Sequence, residues 1–508
     1  MSGMKRRDVL GRSACLLMGA AIDTAPIIAR AVAATSSSAV ERFGPPLARG
    51  DGEIYARRSG GEYDRLATYY NKRFECVTPE IIVYCRSIRA VAKSIRWCRE
   101  NAVAFSIRSG GHCYEGSSRS NQVVIDLRGL CKIAFDPRNH AIQVGGGATL
   151  GDVYTVLARA AQAIPAGTCP TIGIAGHALA GGLGFLVRQF GLACDNIRSI
   201  EIANADGDID VADEKTNSDL FWALRGAGQA SFGVVTKLEF RTHSVPRVTT
   251  CEYETTASQQ KSARFLSRWQ GWIGDAADSV SSSVFMQKKA PEKILVQLRG
   301  TILGNESVIR RQLENILREL QEFPRPRFNG RSFRQAVSWF SEGEDGTPVY
   351  EKGKSDIVKH ALDADAFRFL LDALPVGVDG EITALGGAVD RIAPNQAAFP
   401  HRGGANLVIQ WGTSWKRPEE ARAQLLTLDD FYGKIRPLMS SSAFLNYVDR
   451  DIADPARAYW GKNLERLVAV KRKYDPNNVF RHAMSVPTEL PDDEPAPPAA
   501  ALYCLERS

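Results

Sequence analysis

The 508-residue chain predicts an α+β fold in two domains, with a short segment added at each end. Three observations carry that expectation. The length exceeds the size at which one hydrophobic core stops growing, and a hydrophobic content of 44% is that of an ordinary globular protein. The first half alternates short helices and strands with glycine-rich loops. Near Pro246 the pattern changes to strands at 283–287, 294–301 and 406–413 alternating with helices at 307–322 and 365–374, which marks a second layered domain ending near Pro437.

The elements follow in chain order. Residues 1–33 read as an export signal: Lys5-Arg6-Arg7-Asp8-Val9-Leu10 is a twin-arginine pattern, 14–22 is a mildly apolar run, and Ala31-Val32-Ala33 satisfies a small-x-small cleavage rule. The expected partner is the twin-arginine export machinery and the expected location periplasmic or extracellular. No stretch approaches the ~18 consecutive apolar residues of a membrane span. Residues 35–61 are polar and read as a flexible approach to a body whose order begins between Asn71 and Pro79.

In 88–100, Val91, Ile95 and Cys98 recur at three- and four-residue spacings, which puts them on one helix face. A strand at 104–108 feeds a first glycine loop. Strands at 122–126 and 141–144 precede a helix at 150–161 with Val153, Val156, Leu157 and Ala160 on one side. After a second glycine loop, 198–204 and 208–211 pair as a hairpin across Ala205-Asp206-Gly207, 219–224 is a short helix, and a strand at 234–240 closes the region. The expected units are therefore 70–245, 246–437 and a C-terminal segment 438–487, whose helix at 458–473 stops at Tyr474-Asp475-Pro476. The proline- and acid-rich tail, 488–508, is expected to be disordered.

Composition excludes some functions. The net charge of +7 is scattered along the chain, so nucleic acid is not an expected partner. No Cys-x-x-Cys and no paired histidines at ligand spacing occur, so no metal site is expected. Cys76, Cys85, Cys98, Cys113, Cys131, Cys194 and Cys251 sit in mostly apolar contexts and read as buried small hydrophobes, with room for one disulfide after export.

Two loops carry the chemistry. Arg108-Ser-Gly-Gly-His112-Cys-Tyr-Glu-Gly116 follows a strand, and its glycines allow the positive φ angles and close backbone approach with which amides can face a phosphate. It is not a Rossmann fingerprint, because the G-x-G-x-x-G spacing is absent. The second loop, from Gly167 through Cys169 and His177 to Gly184, packs six glycines into 18 residues without a linker's polarity, so a flat rigid object is expected against it.

Together with Gly145-Gly-Gly-Ala-Thr-Leu-Gly151, Gly191-Leu-Ala-Cys-Asp-Asn196, Arg225-Gly-Ala-Gly228 and Tyr474-Asp-Pro-Asn-Asn-Val-Phe-Arg481, these loops give a chain that resembles the berberine bridge enzyme-like branch of the vanillyl-alcohol oxidase superfamily, over about residues 70–487. The resemblance implies a two-lobed PCMH-type FAD-binding domain, an α+β substrate domain with an antiparallel sheet, and a C-terminal segment that returns to the FAD domain. It also implies FAD attached bicovalently, with His112 bonded to the flavin's 8-methyl carbon and Cys169 to ring carbon 6. Two such bonds raise the reduction potential and prevent cofactor loss outside the cell.

Further roles come with the resemblance. His177 is placed near the flavin pyrimidine edge as a donor or positive charge, or else packs on the glycine loop. Ser109, Gly110, Gly111 and Gly116 look like pyrophosphate contacts, and Gly145, Gly176, Gly181, Asp195, Gly233 and Val235 like further cofactor contacts. Tyr447, in Phe444-Leu-Asn-Tyr-Val-Asp449, resembles a catalytic tyrosine, helped by a cationic neighbour or an electron-poor flavin. Gln410 matches a position where relatives carry glutamine or a glutamate base, and Tyr114 is a candidate partner. Trp339, Phe340, Trp411 and Trp415 are candidate substrate walls or core.

Some positions depart from the family pattern. Ser231, Met484 and Phe444 replace polar or tyrosine residues common in relatives, and Ile172 matches a position linked to sluggish oxygen use. The expected function is an exported oxidase that passes a hydride from an alcohol or hemiacetal of a sugar or natural product to flavin, with Tyr447 as base and O2 as acceptor. A dehydrogenase with another acceptor and a flavin-loaded binding protein are the alternatives.

Overall fold

The computed structural model describes residues 44–319, 325–344, 346–404 and 407–491. The expected signal at 1–33 and most of the expected tail lie outside them.

Two small sheets build the first unit. In one, strands Gly52–Ala56, Ile81–Cys85, Val123–Asp126 and Phe105–Arg108 lie side by side in that order, the last three mutually parallel. Helix Ile88–Glu100 starts at Ser87, whose hydroxyl accepts the Ala90 N–H at 3.1 Å. It buries Val91, Ile95 and Cys98 among Ile81, Val83 and Val123, as its spacing predicts. Strand Gly52–Ala56 corrects one expectation. Residues 35–61 are polar, yet five of them pair with Ile81–Cys85, so ordered structure begins well before Asn71. Pairing with an already buried neighbour organised this stretch, which carries no periodic signal of its own.

The second sheet is antiparallel, in the order Ile133–Asp136, Ala141–Gly145, Val234–Arg241, Ile197–Ala203, Ile209–Asp213. The last two form the expected hairpin. Helix Leu150–Ala158 covers this layer from a capping box between Thr149 and Asp152, and ends before the expected Ala161.

The second unit is one seven-stranded antiparallel sheet, ordered Arg327–Arg331, Val248–Ala257, Lys293–Ile302, Val280–Ala290, Asp379–Ala384, Leu407–Trp415, Tyr350–Val358. Helices Gln259–Asp275, Glu306–Glu319, Ala364–Ala373 and Ala421–Ile435 contribute to the core on its covered side, around Trp269, Phe367, Trp411 and Phe431. Alternation sends Ile382, Ile409 and Trp411 into that core, while Glu381, Thr383 and Gln410 face a cavity on the opposite side.

The C-terminal segment returns to the first unit. The single helix expected at 458–473 is two, Pro455–Trp460 and Leu464–Tyr474, broken at Gly461, which takes φ +46°. Lys471 is fully buried and donates to Asp475 at 2.6 Å and to the carbonyls of Ser231 and Phe480, each at 2.7 Å. Leu445, Trp460 and Val468 share one core with Ile142, Leu220 and Phe240. Of the cysteines expected to be buried, Cys85, Cys98, Cys194 and Cys251 are so, whereas Cys76 and Cys131 are exposed and Cys113 is half-buried. Among the described residues no helix is long and apolar enough to cross a membrane, and none group as a metal site.

Candidate active site

The three units meet around an open-mouthed cavity of about 410 Å³. The two glycine loops form one wall, the concave face of the seven-stranded sheet a second, and Phe444 to Val448 a third.

The first loop leaves strand Phe105–Arg108 over a buried guanidinium. Arg108 donates to the carbonyls of Leu66 and Thr68 and lies 3.8 Å from the centre of the Tyr69 ring. Gly110 then meets the second loop backbone to backbone, since a Cβ there would stand 2.1 Å from the Gly173 nitrogen. The glycines of the two loops thus exist partly for each other.

This contact brings the two expected anchors to one place. His112 and Cys169 both line the cavity, and Thr171 joins them, its Oγ1 3.0 Å from His112 Nε2 and 3.5 Å from Cys169 Sγ. Tyr70 stacks on the imidazole at 4.4 Å between centres. Burial, reinforced by Arg108, pulls His112 down to about 4, so the ring is neutral. Burial pushes the Cys169 thiol up, against the hydrogen bond from Thr171.

Ser109, Gly110, Gly111, Gly176, His177, Gly233 and Val235 also line the cavity. His177 corrects an expectation of charge: its Nε2 accepts the Gly167 N–H at 2.9 Å and burial holds it down to about 4, so it is a neutral ring packed on the glycine loop with only Nδ1–H left to donate. The Ser109 hydroxyl is already donated to the Gly146 carbonyl at 2.7 Å.

Four further expected cofactor contacts, Gly116, Gly145, Gly181 and Asp195, are not among the residues lining this cavity. The Asp195 carboxylate holds the buried Arg402, 2.5 Å from Nη2, and caps the Leu192 N–H at 2.9 Å. Gly116 turns over the Phe74 ring, Gly145 ends a strand against the Leu130 carbonyl, and Gly181 bends at φ +124° beside Phe444. The contacts these four make, with Arg402, Phe74, the Leu130 carbonyl and Phe444, are long-range ones that a local motif does not reveal.

On the sheet side, Gln410 Nε2 donates to the Tyr114 hydroxyl at 3.0 Å. The Tyr114 and Tyr447 ring centres are 6.2 Å apart, and both residues line the cavity. Burial pushes Tyr447 well up, and Glu381 and Glu344 push it further; the expected cationic neighbour is replaced by carboxylates. Glu381 is the residue sequence reasoning missed. It pairs directly with Gln410 across adjacent strands, faces the cavity, and is pushed up by burial against the pull of Ser283 and Arg299. Its signal was a single charge in the alternating stretch Asp379–Ala384, which sequence alone cannot assign to a face. Glu344 and Glu351 stand on the same cavity, burial raising Glu351 to about 8. Of the four candidate aromatic walls only Phe340 lines this cavity, stacked on Phe185 at 4.7 Å; Trp411 and Trp415 are core.

The cavity fits a dinucleotide carrying a flat ring. A Cβ at Gly176 would meet nothing within 4 Å, so the glycine helix turn leaves an open face beside the two anchors.

A family model described as FAD binding domain matches residues 79–212, and one described as Berberine and berberine like matches 443–487. The uncharacterized FAD-linked oxidoreductase YgaK of Bacillus subtilis is 31% identical over 85% of this chain and 96% of its own length. Berberine bridge enzyme-like C-1 of Nicotiana tabacum is 30% identical over 81% of this chain and 85% of its own length. This chain belongs to the berberine bridge enzyme-like family. It is an FAD-dependent oxidoreductase with the α+β fold of that family. Monolignol oxidoreductase AtBBE-like 13 of Arabidopsis thaliana is a 29% identical relative, over 76% of this chain and 79% of that one. Wild-type BBE-like 1 of Physcomitrella patens superposes with a TM-score of 0.81 at 28% identity, over 90% of this chain and 99% of that one. Berberine bridge enzyme from Eschscholzia californica, at 24% identity and a TM-score of 0.80 over 89% and 99% of the two chains, shares the fold.

In this berberine bridge enzyme-like chain the departures at Ser231 and Met484 serve packing. Ser231 Oγ accepts the Val486 N–H at 3.2 Å, and Met484 is buried in the core that joins the C-terminal segment to the FAD domain.

Proposed function

We propose that this FAD-dependent oxidoreductase is an exported oxidase, with FAD bonded to both His112 and Cys169, that oxidises an alcohol or hemiacetal carbon of a hydroxyl-rich sugar or secondary metabolite with O2 as acceptor. The observation that carries the reading is the convergence of Tyr447, Tyr114, Gln410 and Glu381 on the cavity that the two anchors line. When bound, the flavin supplies the two-electron acceptor for the substrate's C–H hydride.

The chain's own residues handle the proton. Tyr447 takes it from the substrate hydroxyl as the C–H bond breaks. Raised by burial and by the carboxylates, the phenol is neutral, so it accepts the substrate proton only as it passes its own on, and Glu381, the first carboxylate acting on Tyr447, receives that proton. Gln410 holds the Tyr114 hydroxyl, whose oxygen keeps a lone pair for the substrate. Glu344, Glu351 and Glu381 add acceptors suited to hydroxyl groups, with Arg299 as the one Lys or Arg lining the cavity among the described residues. That balance disfavours acidic substrates.

Export is supported by the twin-arginine pattern of residues 5–10, and a tethered cofactor suits a compartment without FAD supply. A non-oxygen acceptor is the second reading, favoured by Ile172, which lines the cavity. Tyr447 lies on the cavity wall, which speaks against a binding role without turnover.

The test is the spectrum of acid-precipitated protein followed by an anaerobic screen of neutral, amino and acidic sugars and phenolic alcohols. Yellow precipitate, flavin bleaching by a neutral polyol and peroxide formed in air are the expected results. Bleaching with dye reduction but no peroxide moves the reading to the dehydrogenase, and a colourless precipitate removes the covalent attachment.

A further inference from the structure

The two anchors share one hydroxyl. Thr171 Oγ1 lies within hydrogen-bond distance of both His112 Nε2, at 3.0 Å, and Cys169 Sγ, at 3.5 Å, and a hydroxyl has a single hydrogen to give. Resting on the bicovalent reading above, we propose that Thr171 is a positioning residue for flavin attachment, its hydroxyl setting His112 and Cys169 in their nucleophilic forms together.

The two possible directions of that hydroxyl differ chemically. If it donates to sulfur, its oxygen accepts Nε2–H, so the imidazole proton sits on Nε2 and the Nδ1 lone pair is free to attack. The same donation stabilises a Cys169 thiolate, which also faces the backbone N–H groups of Thr171 and Ile172. If the hydroxyl turns to Nε2, the proton is on Nδ1 and the sulfur is left to donate as a thiol. Both nucleophiles are then silent. One rotation therefore switches both.

The surroundings hold the hydroxyl in place. Gly346, at φ +79°, comes so near that a Cβ would stand 2.8 Å from Thr171 Cγ2 and 2.9 Å from Oγ1, so a loop of the substrate domain clamps Thr171 from above. Tyr70, stacked within 20° of the imidazole plane, limits ring rotation. The Glu344 carboxyl faces the Cys169 thiol and is the group placed to take its proton. In each attachment a C–N or C–S bond replaces a C–H bond of the flavin and an N–H or S–H bond of the protein. Two protons and two electrons are released, and dioxygen takes them up as hydrogen peroxide.

The experiment compares wild type with Thr171→Val, Thr171→Ala and Thr171→Ser, each purified after the same expression time. The readout is the fraction of bound flavin that stays with the protein through trichloroacetic acid, with peptide masses reporting the His112 and Cys169 links separately. This ratio does not depend on the yield of folded protein. We expect a fall of about fivefold or more in both links for Thr171→Val and Thr171→Ala, with Thr171→Ser close to wild type. Equal attachment in the Val and Ala variants, or loss in the Ser variant as deep as theirs, overturns the proposal. Wild type without acid-stable flavin rejects the bicovalent reading instead, a separate outcome.

Discussion

Lys352 Nζ lies between two carboxylates, 2.6 Å from Glu115 Oε1 and in direct contact with Asp449 Oδ1, and so ties the loop carrying Tyr114 to the segment carrying Tyr447. All three side chains are at most 2% exposed. Burial alone would lower Lys352, but Asp449, Glu115 and Asp451 outweigh it and raise it.

Removing that ammonium leaves Glu115 with Arg73 alone, at 3.5 Å, and makes Asp449 and Asp451 share Lys354, so the buried cluster carries an uncompensated negative charge. Lys352→Met is expected to lose roughly 3–5 kcal/mol in urea unfolding. Its kcat is expected to fall by about ten- to a hundredfold at unchanged flavin content, because both tyrosines lose a common support. Asp451, which burial would raise, is held well below the usual carboxylate range by Lys352 and Lys354. Its stabilisation is present above the unfolded value of about 4 and is lost as pH falls towards the folded value. The acid limb of the wild-type stability curve should therefore flatten in the variant.

Tyr447→Phe removes the proton acceptor while keeping the ring against Phe444, 5.4 Å between centres. A fall of about a hundredfold or more in anaerobic flavin reduction is expected, with cofactor content unchanged. Glu381→Gln keeps the pairing with Gln410 but not the receiving carboxylate. Its reduction rate should fall about tenfold and lose the pH dependence that belongs to that group.

Asp195→Asn tests a structural role. With Arg402 buried and its countercharge gone, a loss of about 3–5 kcal/mol is expected, with little change in flavin per folded protein. Gly176→Leu should do the reverse. Its side chain enters open space on the cavity wall, so the protein should keep its circular dichroism and lose its yellow colour.

Glu351 carries a pH signature. Burial raises it to about 8, and its Oε1 is buried without a partner. Below about pH 4 the folded and unfolded states are both protonated and there is no cost. As pH rises from there to about 8 the unfolded chain ionises first, and stability falls by at most ~1.4 kcal/mol per unit. Glu351→Gln should therefore raise Tm more at pH 9 than at pH 5 by calorimetry.

Local rules read much of this molecule. The spacing of Val91, Ile95 and Cys98 anticipates helix Ile88–Glu100, and Ala205-Asp206-Gly207 anticipates the hairpin, because both depend on periods of a few residues. The stretch Gly52–Ala56 was missed because its order comes from a partner strand 25 or more positions away in the chain. The helix break at Gly461 was missed because a glycine inside an amphipathic pattern is tolerated as often as it stops a helix.

By itself the sequence determined the chemistry on offer: a histidine and a cysteine in glycine loops, a tyrosine and a glutamine downstream, and the family to which these motifs belong. Tertiary structure alone decided which of those groups share a cavity. It turned Asp195 towards Arg402 and Gly145 into a strand end, set Glu381 opposite Gln410, and brought Thr171 between His112 and Cys169. The reason is physical: residue type and short periods are local properties, whereas strand register and loop-to-loop contact are settled only when distant segments bury one another.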